Sequence, residues 1–74
     1  MVVACILICC EAGKYKDVIS EIRKIKGVKK AFGVHGRWDG VIEVEAPDLK
    51  ALGEISLKLH GLEGVRATET LISF

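Results

Sequence analysis

The run Gly36-Arg37-Trp38-Asp39-Gly40 holds more usable chemistry than any other stretch of this sequence. A glycine at each end frees the backbone, so its N–H groups can face the carboxylate of a ligand. The Arg37 guanidinium can pair with an anion, and the Asp39 carboxylate can receive an ammonium group. Trp38 is the only tryptophan, and it stands on a segment where no core residue is expected. The plainer reading is an ordinary tight turn with Trp38 packed on a neighbouring subunit. The residues by themselves weigh the two readings evenly. Thr68 and Thr70 offer a second pair of groups. Two residues apart on a strand, their hydroxyls project to one face, although Thr is also simply a good strand former.

Other chemistry finds little support. His35 and His60 are the only histidines, with no Cys or carboxylate at ligand spacing. His60, near a helix end, reads as a cation for the helix C-terminus. The three cysteines are Cys5, Cys9 and Cys10. They do not form C-x-x-C, and adjacent strand residues point to opposite faces, so no zinc site is expected. An odd count inside one strand argues against a disulfide framework and for a reducing compartment. All three read as small buried hydrophobes. No Ser/His/Asp set is visible, and Glu43 and Glu45 read as the solvated side of a strand. The expectation is a binding protein with no cofactor, no metal and no catalytic residue.

Composition narrows the class further. A chain of 74 residues makes one domain, marginal by itself, and a hydrophobic share of 50% gives it an aliphatic core with apolar surface to spare. The formal charge is +1. Without a basic stripe or an aromatic stacking platform, direct nucleic-acid binding is not expected. The longest apolar run, Met1 to Cys10, is too short to span a bilayer. It has no basic start and no Ala-x-Ala-like site before Glu11, so it reads as a strand of a cytoplasmic domain and not as a leader.

Hydropathy patterns supply the elements that position these groups. Met1 to Cys10 is rich in Val and Ile and apolar on both alternating sets, so both of its faces are covered. From Lys14 to Lys26 the period becomes helical, with Tyr15, Val18, Ile19, Ile22 and Ile25 on one side and Gly27 at the capping position. Val28 to His35 and Val41 to Ala46 are strands joined by the glycine-bracketed turn, hence an antiparallel hairpin. Asp48 caps a second helix with Leu49, Leu52, Ile55 and Leu59 as its stripe, although Pro47 precedes the cap instead of following it. Gly61 ends that helix, and Val65 to Phe74 is the last strand. Ile25-Lys26-Gly27-Val28-Lys29 echoes Leu62-Glu63-Gly64-Val65-Arg66, each a helix end, a glycine and a strand start.

The order β-α-β-β-α-β with this echo predicts an α+β, ferredoxin-like split β-α-β sandwich: a four-stranded antiparallel sheet with two helices on one face. Val2, Ala4, Ile6 and Ile8 cannot all meet the helices if Val3, Cys5 and Leu7 do. An apolar sheet face left in water costs roughly 25 cal/mol per Å². A second copy stacked on the free face is therefore expected, with two-fold symmetry.

Gly36-Arg37-Trp38-Asp39, the following Val41-Ile42-Glu43-Val44, and Gly64-Val65-Arg66 with Thr68-Glu69-Thr70-Leu71-Ile72 together resemble the ligand-binding (RAM) domain of the Lrp/AsnC transcription regulators. The resemblance covers nearly all of residues 1–74. It implies the same fold, sheet-to-sheet dimers that assemble into rings, and amino acids bound between dimers by the hairpin loop and nearby polar residues. Carried over, the ligand-binding residues are Gly36, Arg37, Trp38 and Asp39, with Thr68 and Thr70 behind them. Full-length regulators carry an N-terminal helix-turn-helix domain. Here the first strand starts at Val2, so the resemblance is to a stand-alone version that reaches transcription by co-assembling with a full-length relative. The family often has an acidic residue and Tyr where Arg37 and Trp38 stand, which shifts the expected ligand toward an anionic one. The rivals are a purely structural interaction protein, a small enzyme on the same fold, and an amino-acid-binding ACT-like domain. An acylphosphatase-like enzyme needs an Arg in the loop after the first strand, and Glu11-Ala12-Gly13-Lys14 has none.

Overall fold

Alternation along the strands decides which side chains meet the helices. A computed structural model describes residues 1–73. The elements run β1 (Val2–Cys10), α1 (Tyr15–Ile22), β2 (Val28–Gly33), β3 (Gly40–Ala46), α2 (Leu49–His60) and β4 (Val65–Ser73). The sheet order is β2-β3-β1-β4, and every neighbouring pair is antiparallel. This is the ferredoxin-like split β-α-β sandwich. The central strand β1 pairs on both sides, which suits its all-apolar sequence. Phe74, assigned to the last strand on sequence, lies outside the described residues.

One alternating set of β1, Ala4, Ile6, Ile8 and Cys10, is buried beneath the helices. In register with it lie Ile42 and Val44 of β3 and Ala31 of β2. Val18, Ile19 and Ile22 of α1 and Leu52, Ile55 and Leu59 of α2 close this single core. Asp48 caps α2 as its type and place predict: its side chain accepts the Ala51 N–H at 2.8 Å.

The other set of β1, Val3, Cys5, Leu7 and Cys9, faces away from the helices. Paired residues across an antiparallel ladder share a face. Val41 and Phe32 thus join Leu7 on this side, while Lys30, Glu43 and Leu71 join Cys5. Phe32 is 45% exposed and Leu71 52%.

Several sequence expectations need correction. Cys5 is exposed and Cys9 half-buried, so only Cys10 is the buried small hydrophobe expected of all three. The strand places Cys5 and Cys9 on the face that the helices do not reach. Tyr15 and Leu49, counted in the helical stripes, are exposed. Each is the first residue of its helix and projects past the core. Helix α1 ends at Ile22, short of Lys26, because the next amides bond three residues back: Lys24 N–H to Glu21 O at 3.2 Å and Ile25 N–H to Ile22 O at 3.0 Å. This tighter turn delivers the chain to Gly27 at φ +99°. At that φ a side chain is strained, and its Cβ would also lie 3.1 Å from the Glu45 carbonyl oxygen and 2.8 Å from Ile55 Cδ1, so glycine is favoured. Strand β2 stops at Gly33, two residues before the predicted His35, and β3 begins one residue early, at Gly40.

Candidate functional site

The hairpin between β2 and β3 is fastened to β1 through Asp39. Its N–H donates to Ile8 O at 2.8 Å, and its own carbonyl accepts the Val34 N–H at 2.9 Å. Its carboxylate Oδ2 accepts the Cys10 N–H at 2.7 Å. The Cys9 thiol makes a weaker bond to the Arg37 carbonyl at 3.4 Å. Gly40 follows in a crowded place: a Cβ would lie 3.0 Å from Ile8 Cγ1 and 3.1 Å from Ile19 Cδ1, so both side chains would have to shift by a few tenths of an ångström. Gly36 turns the chain at φ +128° in open space. The tip is therefore free while the base is rigid. Burial, and then the nearby Asp39 and Cys9, push the Cys10 thiol up from its ordinary range.

Asp39 also borders an open cleft of about 560 Å³ between the hairpin and α1. Tyr15, Lys16, Ser20 and Arg23 line one side of it, and His35 and Asp39 the other. Ile19 and Val34 supply apolar wall. The Tyr15 ring lies on the β2 backbone, where a Cβ on Gly33 would approach Cε2 to 2.9 Å. The Arg23 guanidinium is held in place: Nε and Nη2 donate to Ala31 O at 3.1 and 2.8 Å. The cleft thus has Lys16 and Arg23 on the helix side and the acidic residue Asp39 on the hairpin side, with carboxylate Oδ2 of Asp39 turned to the Cys10 N–H. That arrangement can hold a small molecule carrying both charges.

The six residues singled out on sequence do not form one site within a protomer. Gly36 and Arg37 are exposed and Trp38 is half-buried, and none of the three lines the cleft. Thr68 and Thr70 stand on β4, at the far edge of the sheet. Thr68 is paired with Ile8, which is paired with Gly40, so two strand spacings, roughly 10 Å, separate it from the hairpin base. Both hydroxyls turn toward α2. Thr70 Oγ1 lies 3.0 Å from Ser56 Oγ, and Thr68 Oγ1 lies 3.5 Å from His60 Nδ1. The sequence reading missed Tyr15, Lys16, Ser20, Arg23 and His35. A signal was there: Lys16, Ser20 and Arg23 are four and three residues apart, one polar stripe beside the apolar one. Among the described residues no group of three or more His, Cys, Asp or Glu can hold a metal ion.

Comparison with known proteins decides the family. The model of the Lrp/AsnC ligand binding domain matches residues 3–74. The chain belongs to this family. An uncharacterised HTH-type transcriptional regulator of Pyrococcus furiosus is 38% identical over 60 residues, 80% of this chain and 40% of that protein. The HTH-type transcriptional regulator FL11 of the same organism is 30% identical over 96% of this chain and 47% of its own length. The Lrp/AsnC domain described here therefore spans less than half of the length of these curated relatives. Among solved structures, FFRP-DM1 superposes with a TM-score of 0.94 at 33% identity, covering 100% of both chains. In the described part of this Lrp/AsnC domain, no helix is long and apolar enough to cross a membrane.

Proposed function

We propose that this Lrp/AsnC domain is an effector-binding module, not an enzyme, and that its effector is an amino acid or a similar small zwitterion. The observation that carries this is the charge layout of the hairpin cleft. Asp39 borders it from a base fixed by three hydrogen bonds, and Lys16 and Arg23 line the opposite side. An ammonium on Asp39 and a carboxylate toward the cations would use both ends of an amino acid. Among the described residues, the hydrogen bond made to the Asp39 carboxylate takes Oδ2, and Oδ1 is the oxygen for the ligand. Membership of a family of ligand-binding domains supports the same reading.

The module works as a homo-oligomer in this proposal. Two copies stack the sheet faces that carry Val3, Leu7, Phe32 and Leu71, because the helices cover only the other face and this one leaves Val3, Phe32 and Leu71 exposed beside charged Lys30 and Glu43. Dimers then assemble so that the hairpin of one, with Arg37 and Trp38 at its tip, reaches Thr68 and Thr70 on the β4 edge of another. That assembly would join the two halves of the site that one protomer keeps apart. A ligand bridging two dimers favours one assembly by its differential affinity. The output is assembly state or the choice of a full-length Lrp/AsnC partner in the cytoplasm, with no DNA contact by this domain.

One observation favours a second reading. Asp39 has a structural job in tying the hairpin to β1, and that job by itself accounts for its place in a loop that only cements the oligomer. Fluorescence of Trp38, the only tryptophan, separates the two. Saturable change with one group of amino acids supports the sensor. No change with any amino acid supports the interaction protein.

A further inference from the structure

A second cleft, of about 510 Å³, lies at the end of the sheet away from the hairpin, between the β2–β3 pair and the first turns of α2. Its floor is apolar and set by backbone. Ala46, Pro47, Ala51 and Ile55 line it, with Gly27 between the strands and the helix. Gly27 is held there: its carbonyl accepts the Glu45 N–H at 2.9 Å, and Ile55 fills the space where its side chain would be. The floor is thus built from the strand pair and α2, packed closely at Gly27.

The rim carries Lys26, Lys29 and Lys58 against Glu45 and Glu54. Glu45 is paired with Lys29 at 3.2 Å. Among the described residues, neither Lys26 nor Lys58 has a carboxylate within 4.0 Å. Lys58 and Glu54 are one turn apart on α2, yet they do not close into an ion pair. Long lysine stems extend apolar walls and leave the ammonium at the water boundary. The cleft therefore offers an apolar bed beneath two uncommitted cations. We propose that it is a second binding site, separate from the hairpin, for a small aliphatic monocarboxylate. The chain of the acid lies on Pro47, Ala51 and the edge of Ile55, and its carboxylate meets Lys26 and Lys58. Glu45 is taken up by Lys29, and the three lysines outnumber Glu45 and Glu54, so the rim stays net cationic and the site takes acids that lack an ammonium group. Its existence does not depend on the hairpin binding anything.

The test is amide chemical-shift mapping of the full chain titrated with hexanoate and, separately, with its neutral isostere hexanamide. The expected result is saturable shifts over Lys26 to Lys29 and Ala46 to Ile55, with hexanamide weaker by roughly tenfold. Two variants address the two halves of the site. Ala51→Phe fills the bed, and K26E/K58E reverses the rim while leaving the core untouched. Each is expected to weaken hexanoate by roughly tenfold or more. No saturation by about 10 mM, equal binding of acid and amide, shifts centred on the hairpin, or a K26E/K58E protein that binds hexanoate as before would each overturn the proposal.

Discussion

Replacing Asp39 by alanine and by asparagine separates what this side chain does for the fold from what it does for a ligand. Its Oδ2 accepts the part-buried Cys10 N–H at 2.7 Å. Hydrogen bonds to a charged group contribute about 1.5–3 kcal/mol, and a stranded donor adds its own cost. Asp39→Ala leaves the Cys10 N–H without a partner, so a loss of about 2 kcal/mol is expected. In a domain of this size 1 kcal/mol moves Tm by about 4–8 °C, so Tm falls by about 8–16 °C. Asp39→Asn keeps an oxygen in the same place and loses only the charge, for about half that drop. Both variants lose the counter-charge for an ammonium group. The assay is thermal unfolding by circular dichroism at one fixed protein concentration, because oligomerisation makes Tm concentration-dependent. If Asp39→Ala melts within about 3 °C of the parent, the hairpin anchor is not what holds the loop, and the reasoning fails.

Arg37→Ala, at the exposed tip of the hairpin, is expected to weaken an acidic ligand roughly tenfold and a neutral amino acid little; equal affinities across both classes would remove its assigned role. Leu71→Asp puts a charge on the open sheet face at a position paired with Cys5. It should shift sedimentation from dimer to monomer, and an unchanged dimer would place the interface elsewhere. The raised Cys10 thiol predicts a pH dependence. The folded state holds this proton more tightly than the unfolded chain does, so the associated stability is present at neutral pH. It is lost as pH rises past about 8.5, the ordinary thiol range. Urea midpoints of the parent should fall over that range more steeply than those of Cys10→Ala, and parallel curves would contradict this.

Much of the fold was legible in the sequence because hydrophobic period reports burial directly. The helical stripe of Leu52, Ile55 and Leu59 and the alternation of Ile42, Val44 and Ala46 place the core correctly. The two apolar sets of β1 pointed to cover on both faces, and the helices cover one of them, Ala4, Ile6, Ile8 and Cys10. The sequence could not say which alternating set met the helices, because both sets are apolar. For the same reason Cys5 read as buried. Helix ends were misjudged where backbone bonding governs, as at Ile22, since no side-chain signal marks a change from four-residue to three-residue spacing. The candidate site was only half legible. Gly36 to Asp39 stood out by residue type, but of these only Asp39 lines the cleft. Lys16, Ser20 and Arg23 look like an ordinary solvated helix face until β2 and the hairpin are laid beside them. Thr68 and Thr70 share a face as expected, but the sheet order sets them two strands from Gly40.

The measurement that bears most directly on the central claim is calorimetric titration of the protein with the twenty amino acids in small pools, run beside Asp39→Asn. The account predicts heat that saturates with one pool and is lost in the variant. No saturating heat from any pool up to the millimolar range, which corresponds to roughly −4 kcal/mol of binding, would contradict it, as would a response that survives unchanged in Asp39→Asn.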